Sequence, residues 1–290
     1  MTPFAGDTLG AAALDPSDFD ALRQVIYDHS GIWLADSKLV FLQVRLADRL
    51  RETRISTARE YYHFIKYDPR GADEILRLVD AVTVNETWFF REMGPLEAWR
   101  EAVLERLAES GARIRVWCAG CSNGAEPHTI AMMLSDSLSR AALSRLEIIA
   151  TDISQGSLET ARAGVYDAHC LRNTDERWKQ KYFEPMGDGR LSVKREVRQY
   201  VHFGWSNLTD PHLAARIGPV DLVICRNVII YFDTRSRQAA LANLHAALKN
   251  GGYLILGHSE SLALTNSPFE VASMSGTVLY KRGSSARVVP

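Results

Sequence analysis

Four short runs in this chain carry polar and aromatic residues where hydrophobic patterning alone would not place them. The first is RIRVWCAGCSNGAEPHT at 113–129, an apolar run entering a turn of small residues and then a helix. The second, LEIIATDIS, follows one βα unit later with Asp152 near its end. A buried strand, tight turn and helix are how an open α/β sheet presents a nucleotide, and an acid after the next strand suits a ribose diol. AGCSNG at 119–124 meets only a loosened form of the glycine-rich fingerprint. Asp152 also stands 32 residues beyond Gly120, against the ~20 of dinucleotide enzymes. The cofactor expected is therefore adenosine-based and not NAD.

The third run, TVNETWFFR at 83–91, combines Asn85, Glu86 and Thr87 with the aromatics Trp88, Phe89 and Phe90, and then Arg91. Such a strip can line a ligand cavity. Core packing alone would also account for the three aromatics, though less readily for Asn85 and Arg91. The fourth, CRNVIIYFD at 225–233, puts Arg226, Asn227 and Tyr231 just past a nearly all-apolar strand, where open α/β sheets bind ligands. The pattern leaves function and packing evenly weighed there.

The elements that must position these residues follow from periodicity and stop signals. PSDFDALRQVIYDHSG reads as a helix capped by Ser17 and stopped by Gly31, with Phe19, Leu22, Val25 and Ile26 on one face. Helices are expected at about Ser37–Thr53, Thr57–Tyr67 and Ala72–Val82, with the turn DPRG at 68–71, giving an all-helical lobe over 15–82. On the second of these, Leu39, Leu42, Leu46 and Leu50 make a narrow apolar stripe beside Lys38, Arg45, Arg49 and Arg51. That basic surface fits either an acidic partner helix or plain solvation.

An α/β domain is expected over 83–282. Its helices fall at Pro95–Glu109, Glu126–Leu138, SQGSLETARAG (capped by Ser154, stopped by Gly164) and Arg235–Leu248, and its strands at Arg113–Cys118, Leu146–Thr151, PVDLVICRN and YLILGHS. A turn is expected at Asn250–Gly252, and FEVASMSGTVLYKR reads as two strands joined by Ser275-Gly276, so the parallel sheet should end in an antiparallel pair. The segment 165–203 breaks the alternation. GDGRLSVKREVRQYVHF looks like a hairpin turning at Gly187–Gly189, an insertion standing off the main sheet.

With 290 residues, 46% of them apolar, the chain can bury a large core. Its formal charge of −1 predicts neither nucleic acid nor an anionic membrane as partner. The first residues lack a basic leader and no run approaches the ~20 apolar residues of a membrane span, so a cytoplasmic protein is expected, frayed to about residue 15 and with a short tail from Arg282. Cys118, Cys121, Cys170 and Cys225 show no zinc spacing and read as reduced, structural residues; no metal is expected.

Together VNETWFFR, VWCAGCSNGAEPHTIAMML, ATDIS with LETARAGVY, and DLVICRNVIIYFD with GGYLILGHSES closely resemble the CheR family of S-adenosylmethionine-dependent chemoreceptor glutamate methyltransferases, from about Phe19 to Lys281. The resemblance implies a class I methyltransferase fold, with an all-helical amino-terminal domain, a Rossmann-like seven-stranded sheet ending in an antiparallel strand, and a small antiparallel β subdomain. It implies S-adenosylmethionine as cofactor and S-adenosylhomocysteine as product. Asn85, Thr87 and Arg91 should approach the cofactor, Glu126 and Asp152 its polar groups with Asp152 on the ribose hydroxyls, and Asn207, Leu208, Arg226 and Asn227 the adenosine side. Lys38, Arg45 and Arg49 acquire a role against the receptor's cytoplasmic methylation region. The chain departs from the family pattern GEEPYS or GQEPYS in GAEPHT, where Ala125 replaces a polar residue and His128 a tyrosine. Its hairpin loop EPMGDGRLSVKRE is shorter than in members that grip a receptor pentapeptide, which argues against that tether. A monomer is expected.

Methyl transfer from a sulfonium to a carboxylate is an in-line displacement on a group already ionised at cytosolic pH, so it needs positioning and no general base. Arg91 and Tyr231 are the candidates to hold the acceptor carboxylate. Two alternatives stand beside this reading. One is a relative that binds the cofactor or its product and regulates a partner without methylating it, motivated by Ala125 and His128. The other is a methyltransferase for a different protein or a small carboxylic acid.

Overall fold

The computed structural model describes residues 14–262 and 267–283. The expected frayed start and tail fall almost entirely outside them. The chain divides into two compact units, Met1–Val84 and Asn85–Pro290.

The first unit is four helices: α1 (Pro16–Ser30), α2 (Leu39–Thr53), α3 (Ala58–Tyr67) and α4 (Gly71–Val82), with α4 packed against the other three. The cap of α1 is Asp15 and not Ser17; Pro16 takes the first turn, where a missing N–H costs nothing, and the Ser17 amide donates to Asp15 Oδ1 at 2.8 Å. A 3₁₀ turn over Asp36–Lys38 delays α2 to Leu39. Leu42 and Leu46 are fully buried with Leu22, Ile26, Tyr61 and Leu78. Arg49 is also buried, which corrects its expected place on an exposed basic face. Its Nε and Nη2 donate to Glu74 Oε1 and Oε2 at 2.8 and 2.9 Å, Nη1 reaches Glu52 at 2.6 Å, and the Tyr61 hydroxyl donates to Glu74 at 2.8 Å. The carboxylates hold the guanidinium's pKa above its ordinary value, and burial pushes the Tyr61 phenol up. Lys38 and Arg45 remain exposed, stacked on Phe41 at 6.0 and 5.4 Å.

The second unit is built on β1 (Ile114–Ala119), β2 (Leu146–Asp152), β3 (Val165–Tyr166), β4 (Phe183–Pro185), β5 (Leu191–Val193), β6 (Val201–Trp205), β7 (Val220–Cys225), β8 (Leu248–Leu256), β9 (Phe269–Met274) and β10 (Thr277–Arg282). Seven strands form one sheet in the order β6-β2-β1-β7-β8-β10-β9, parallel except that β10 runs against both neighbours; β3-β5-β4 form a small antiparallel sheet. β1 lies centrally, with Val116 opposite Ile148 on one side and Leu222 on the other. Every residue of β7 is buried, as a strand covered on both faces requires. At the β9–β10 turn Ser275 and Gly276 both have positive φ, matching the right-handed strand twist.

Three expectations change. The hairpin ends at Val193, and Val201–Trp205 pairs in parallel with β2 as the edge of the main sheet instead of belonging to the insertion. Asn250–Gly252 is not a free turn but an irregularity inside β8, where the register against β7 shifts. The helix expected over Pro95–Glu109 is interrupted by a π-helical stretch at Arg100–Leu104. All four cysteines are buried and unpaired by disulfides, and burial raises the thiol pKa of Cys118, Cys121 and Cys225 well above its usual range. Among the described residues no helix is long and apolar enough to cross a membrane.

Candidate active site

The turn after β1 spends its amides internally. Gly120 and Cys121 donate to the Thr151 carbonyl at 2.8 and 3.0 Å, Ser122 to Asp152 Oδ2 at 2.7 Å, Gly124 to the Cys121 carbonyl at 3.0 Å and Ala125 to Asn123 Oδ1 at 3.1 Å. Phosphate binding at a strand–helix turn relies on such N–H groups pointing at the ligand. Here these five amides do not, which counts against a diphosphate cradle and fits a nucleoside. The turn also packs directly on the loop after β7: Gly120 has φ +81, and a Cβ there would stand 2.4 Å from Val228 Cγ2, so only glycine fits.

Asp152, at the carboxyl end of β2, is buried and joins two turns, since Oδ1 accepts from the Ser154 amide at 2.9 Å while Oδ2 accepts from Ser122. Asn85 reaches the same place from the segment before the first helix of this unit. Its Nδ2 donates to Ser154 Oγ at 3.3 Å and its carbonyl accepts from Ser122 Oγ at 3.0 Å. The Ser206 amide donates to the Asp152 carbonyl at 3.0 Å, which brings the loop after β6, with Asn207 and buried Leu208, beside them. Asn243 holds that loop through the Leu208 carbonyl at 2.8 Å. Thr87 is half-buried, and its carbonyl faces the Cys170 thiol.

On the β7 side Arg226 grips Glu126 with Nε at 2.6 Å and Nη2 at 2.5 Å, while Nη1 donates to the carbonyls of Arg91 and Glu92 at 2.8 and 2.9 Å. One buried guanidinium thus ties the strand end, the helix Ala125–Ser137 and the 85–92 strip together. Sequence reasoning missed Glu260, whose carboxylate accepts from the amides of Asn227, Val228 and Gly257 at 2.8, 2.8 and 2.9 Å, and from Ile230 at 3.3 Å. This buried acid shapes the loop that carries Asn227 and Tyr231. A lone acid among small polar residues after a buried strand, GHSES, was the available signal.

The aromatic run separates by role. Phe89 is fully buried, edge-on to Tyr166 and Phe183 at 4.8 and 5.1 Å, and is core. Trp88 carries the Arg91 guanidinium 4.4 Å over its ring. Arg91 Nη1 donates to the Glu86 carbonyl at 3.0 Å, whereas its buried Nε has no hydrogen-bond partner among the described residues. Burial raises the Tyr231 phenol above its ordinary pKa, with the Arg91 charge acting the other way, so these two groups share one field. Phe90, Glu92, Ser122 and Asn227 all have positive φ, a conformation that non-glycine residues adopt at a cost and that gathers here around one site.

Ala125 and His128 both lie in the core. Ala125 is buried, and His128 is fully buried at 5.5 Å from the Phe203 ring. The Tyr166 hydroxyl donates to the Asn123 carbonyl at 2.8 Å, so at 3.0 Å His128 Nδ1 is the donor to the Tyr166 oxygen. Burial, helped by Arg198, drops the imidazole to a pKa of about 3, and it is neutral.

A parallel sheet with one reversed strand near its edge, and an acid at the end of β2, match the class I S-adenosylmethionine-dependent methyltransferase fold that the sequence resemblance implied. Comparison with known proteins narrows this. Residues 85–278 match the CheR methyltransferase, SAM binding domain, and residues 17–83 match the CheR methyltransferase, all-alpha domain. The chain belongs to the CheR methyltransferase family. It is 35% identical to chemotaxis protein methyltransferase 2 of Vibrio cholerae over 88% of this chain and 89% of that one. It is also 35% identical to chemotaxis protein methyltransferase Cher2 of Pseudomonas putida (91% and 97%), and 34% identical to the chemotaxis protein methyltransferase of Escherichia coli (87% and 86%). Among solved structures, the rRNA methyltransferase aviRa from Streptomyces viridochromogenes aligns at a TM-score of 0.43 with 14% identity, over 69% of this chain and 88% of that one. The chain is an S-adenosylmethionine-dependent methyltransferase of chemotaxis-type signalling.

Proposed function

We propose that the protein methylates glutamate side chains in the cytoplasmic methylation region of chemoreceptors, forming methyl esters that serve sensory adaptation. The observation that carries the cofactor half of this reading is the β1 turn, whose amides are satisfied internally around Asp152. The donor set of acids and amides, without a phosphate nest, fits a cofactor bearing a diol and positive charge. Asp152 takes the ribose hydroxyls, Asn207, Leu208 and Asn227 the adenosine side, and Asn85, Thr87 and Glu126 the polar end. Arg226 acts chiefly by holding Glu126 and the strip, since its N–H groups are spent there. When bound, S-adenosylmethionine supplies an electrophilic methyl group on a sulfonium.

The protein's own task is orientation. An acceptor glutamate is ionised near neutral pH, so no proton has to be removed. Arg91, stacked on Trp88, offers its buried unpartnered Nε to the acceptor carboxylate, and Tyr231, with its phenol pKa raised, stays protonated to donate a hydrogen bond. The exposed Lys38 and Arg45 dock the acidic receptor helix, and the protein works as a cytoplasmic monomer without the pentapeptide tether.

The test incubates the purified protein with tritiated S-adenosylmethionine and membranes from its own source. Label on chemoreceptors that alkali releases is the expected result, because methyl esters hydrolyse readily. Base-stable label, or cofactor binding by calorimetry with no transfer to any receptor, overturns it.

A further inference from the structure

Two arginines on the 85–92 side of the site share one aromatic ring. Arg172 places its guanidinium 3.9 Å over the Trp88 ring that also carries Arg91 at 4.4 Å. Two cations on one indole repel each other and are stabilised by an anion brought to them. The nearest carboxylates hold them loosely: Glu86 Oε1 stands 3.7 Å from Arg172 Nη2, and Glu92 Oε1 stands 3.7 Å from Arg91 Nε. Arg172 makes one hydrogen bond, from Nη1 to the His169 carbonyl at 2.7 Å, and its Nε and Nη2 donate to no acceptor among the described residues. The Glu86 side chain is 69% exposed, so its pair with Arg172 is easily given up.

We propose that Arg172 is a second substrate-binding cation of the methyl-transfer site, which receives an acidic side chain flanking the methylated glutamate and is occupied until then by Glu86. The inference rests on the glutamate-methylating reading above. Stacking on Trp88 fixes the plane of the guanidinium, which is the arrangement that lets arginine take a carboxylate through two parallel N–H groups and that lysine cannot reproduce. Glu86 competes with the substrate for that fork, so the two residues have opposite effects on substrate affinity.

The experiment is steady-state methylation of a purified cytoplasmic fragment of a chemoreceptor from the same organism, with cofactor affinity measured separately by calorimetry and folding by thermal melting. Arg172→Gln is expected to raise KM for the fragment about tenfold, the size of one lost charge-assisted contact, with kcat and cofactor affinity near wild type. Glu86→Gln is expected to lower KM about two- to threefold, as a weak competing pair is removed. The double variant should match Arg172→Gln alone, because Glu86 acts only through Arg172. Unchanged KM in Arg172→Gln beside an active wild type overturns the inference alone, as does a raised KM in Glu86→Gln. If Arg172→Gln melts early, the sign of the Glu86→Gln effect decides. A wild-type protein that leaves no alkali-labile label on the fragment overturns the underlying reading, and this inference with it.

Discussion

Arg226 and Arg91 stand on either side of one site and are held in opposite ways. Arg226 is 9% exposed, spends three nitrogens within 2.9 Å of acceptors, and meets a Glu126 carboxylate that is only 13% exposed. Arg91 is 20% exposed, has its nearest carboxylate at 3.7 Å, and keeps a buried Nε with no hydrogen-bond partner among the described residues. A cation taken out of water must be repaid by close anions and carbonyls, and Arg226 is. Arg91 is underpaired in a place where the loops around it are fixed by Asp152 and Glu260. The same contrast recurs in the helical unit, where Arg49 is as tightly bound as Arg226 and, for that reason, is architecture. Partner distance, more than residue type, separates Arg226 and Arg49 from Arg91.

The largest test of that contrast is Arg226→Ala. It leaves the largely covered Glu126 carboxylate without its cation and frees the carbonyls at 91 and 92, and breaking such a pair from one side costs up to about 3–5 kcal/mol. Urea unfolding should show that loss, and calorimetry should show S-adenosylmethionine affinity falling with it. Arg91→Ala should do the reverse. Unfolding stability stays within about 1 kcal/mol of wild type, as for other loose pairs. Turnover falls roughly 100-fold, the size of one lost positioned donor, while cofactor affinity changes little. Near-normal methylation by Arg91→Ala, or a stability loss equal to that of Arg226→Ala, erases the distinction.

What could be read from the chain follows the same line. The order of strands and helices was legible because β1 and β7 are apolar except for Arg115 and Asp221, and the caps at Ser154 and Gly164 are local signals. β6 was folded wrongly into the hairpin because Leu191–Val193 and Val201–Trp205 have similar short patterns, and only pairing with β2 assigns the second to the main sheet. Arg49 and Arg45 lie on one helix with the same charge, and nothing in their spacing says that Glu74, on another helix, draws one of them inside. Glu260 was passed over for a different reason: its partners are backbone amides, which every sequence possesses, and only its place in GHSES marks it. Asn85 and Asp152, proposed above to face the cofactor, stood out because their types are out of place in a core pattern.

His128 sharpens the comparison from the uncharged side. It is a base with no anion nearby, fully buried between Tyr166 and Phe203, and it answers burial by giving up its proton. In the unfolded chain an imidazole titrates near 6.5; in the folded protein burial lowers this one to about 3. Between those values the unfolded state binds a proton that the native state refuses, so stability is complete above pH 6.5 and declines as pH falls through that window. At pH 5.5 the deficit relative to pH 7.5 is about 1.4 kcal/mol from this one residue. His128→Phe keeps a planar ring among the same aromatic neighbours and removes the titration. Urea unfolding of the two proteins at both pH values should therefore show the variant losing about 1.4 kcal/mol less on acidification than the wild type. His245 is shifted in the same direction by burial but is present in both proteins and cancels. Equal acid losses would mean that His128 is protonated as freely in the folded protein as in the unfolded one, and a buried base without an anion would then have kept its charge.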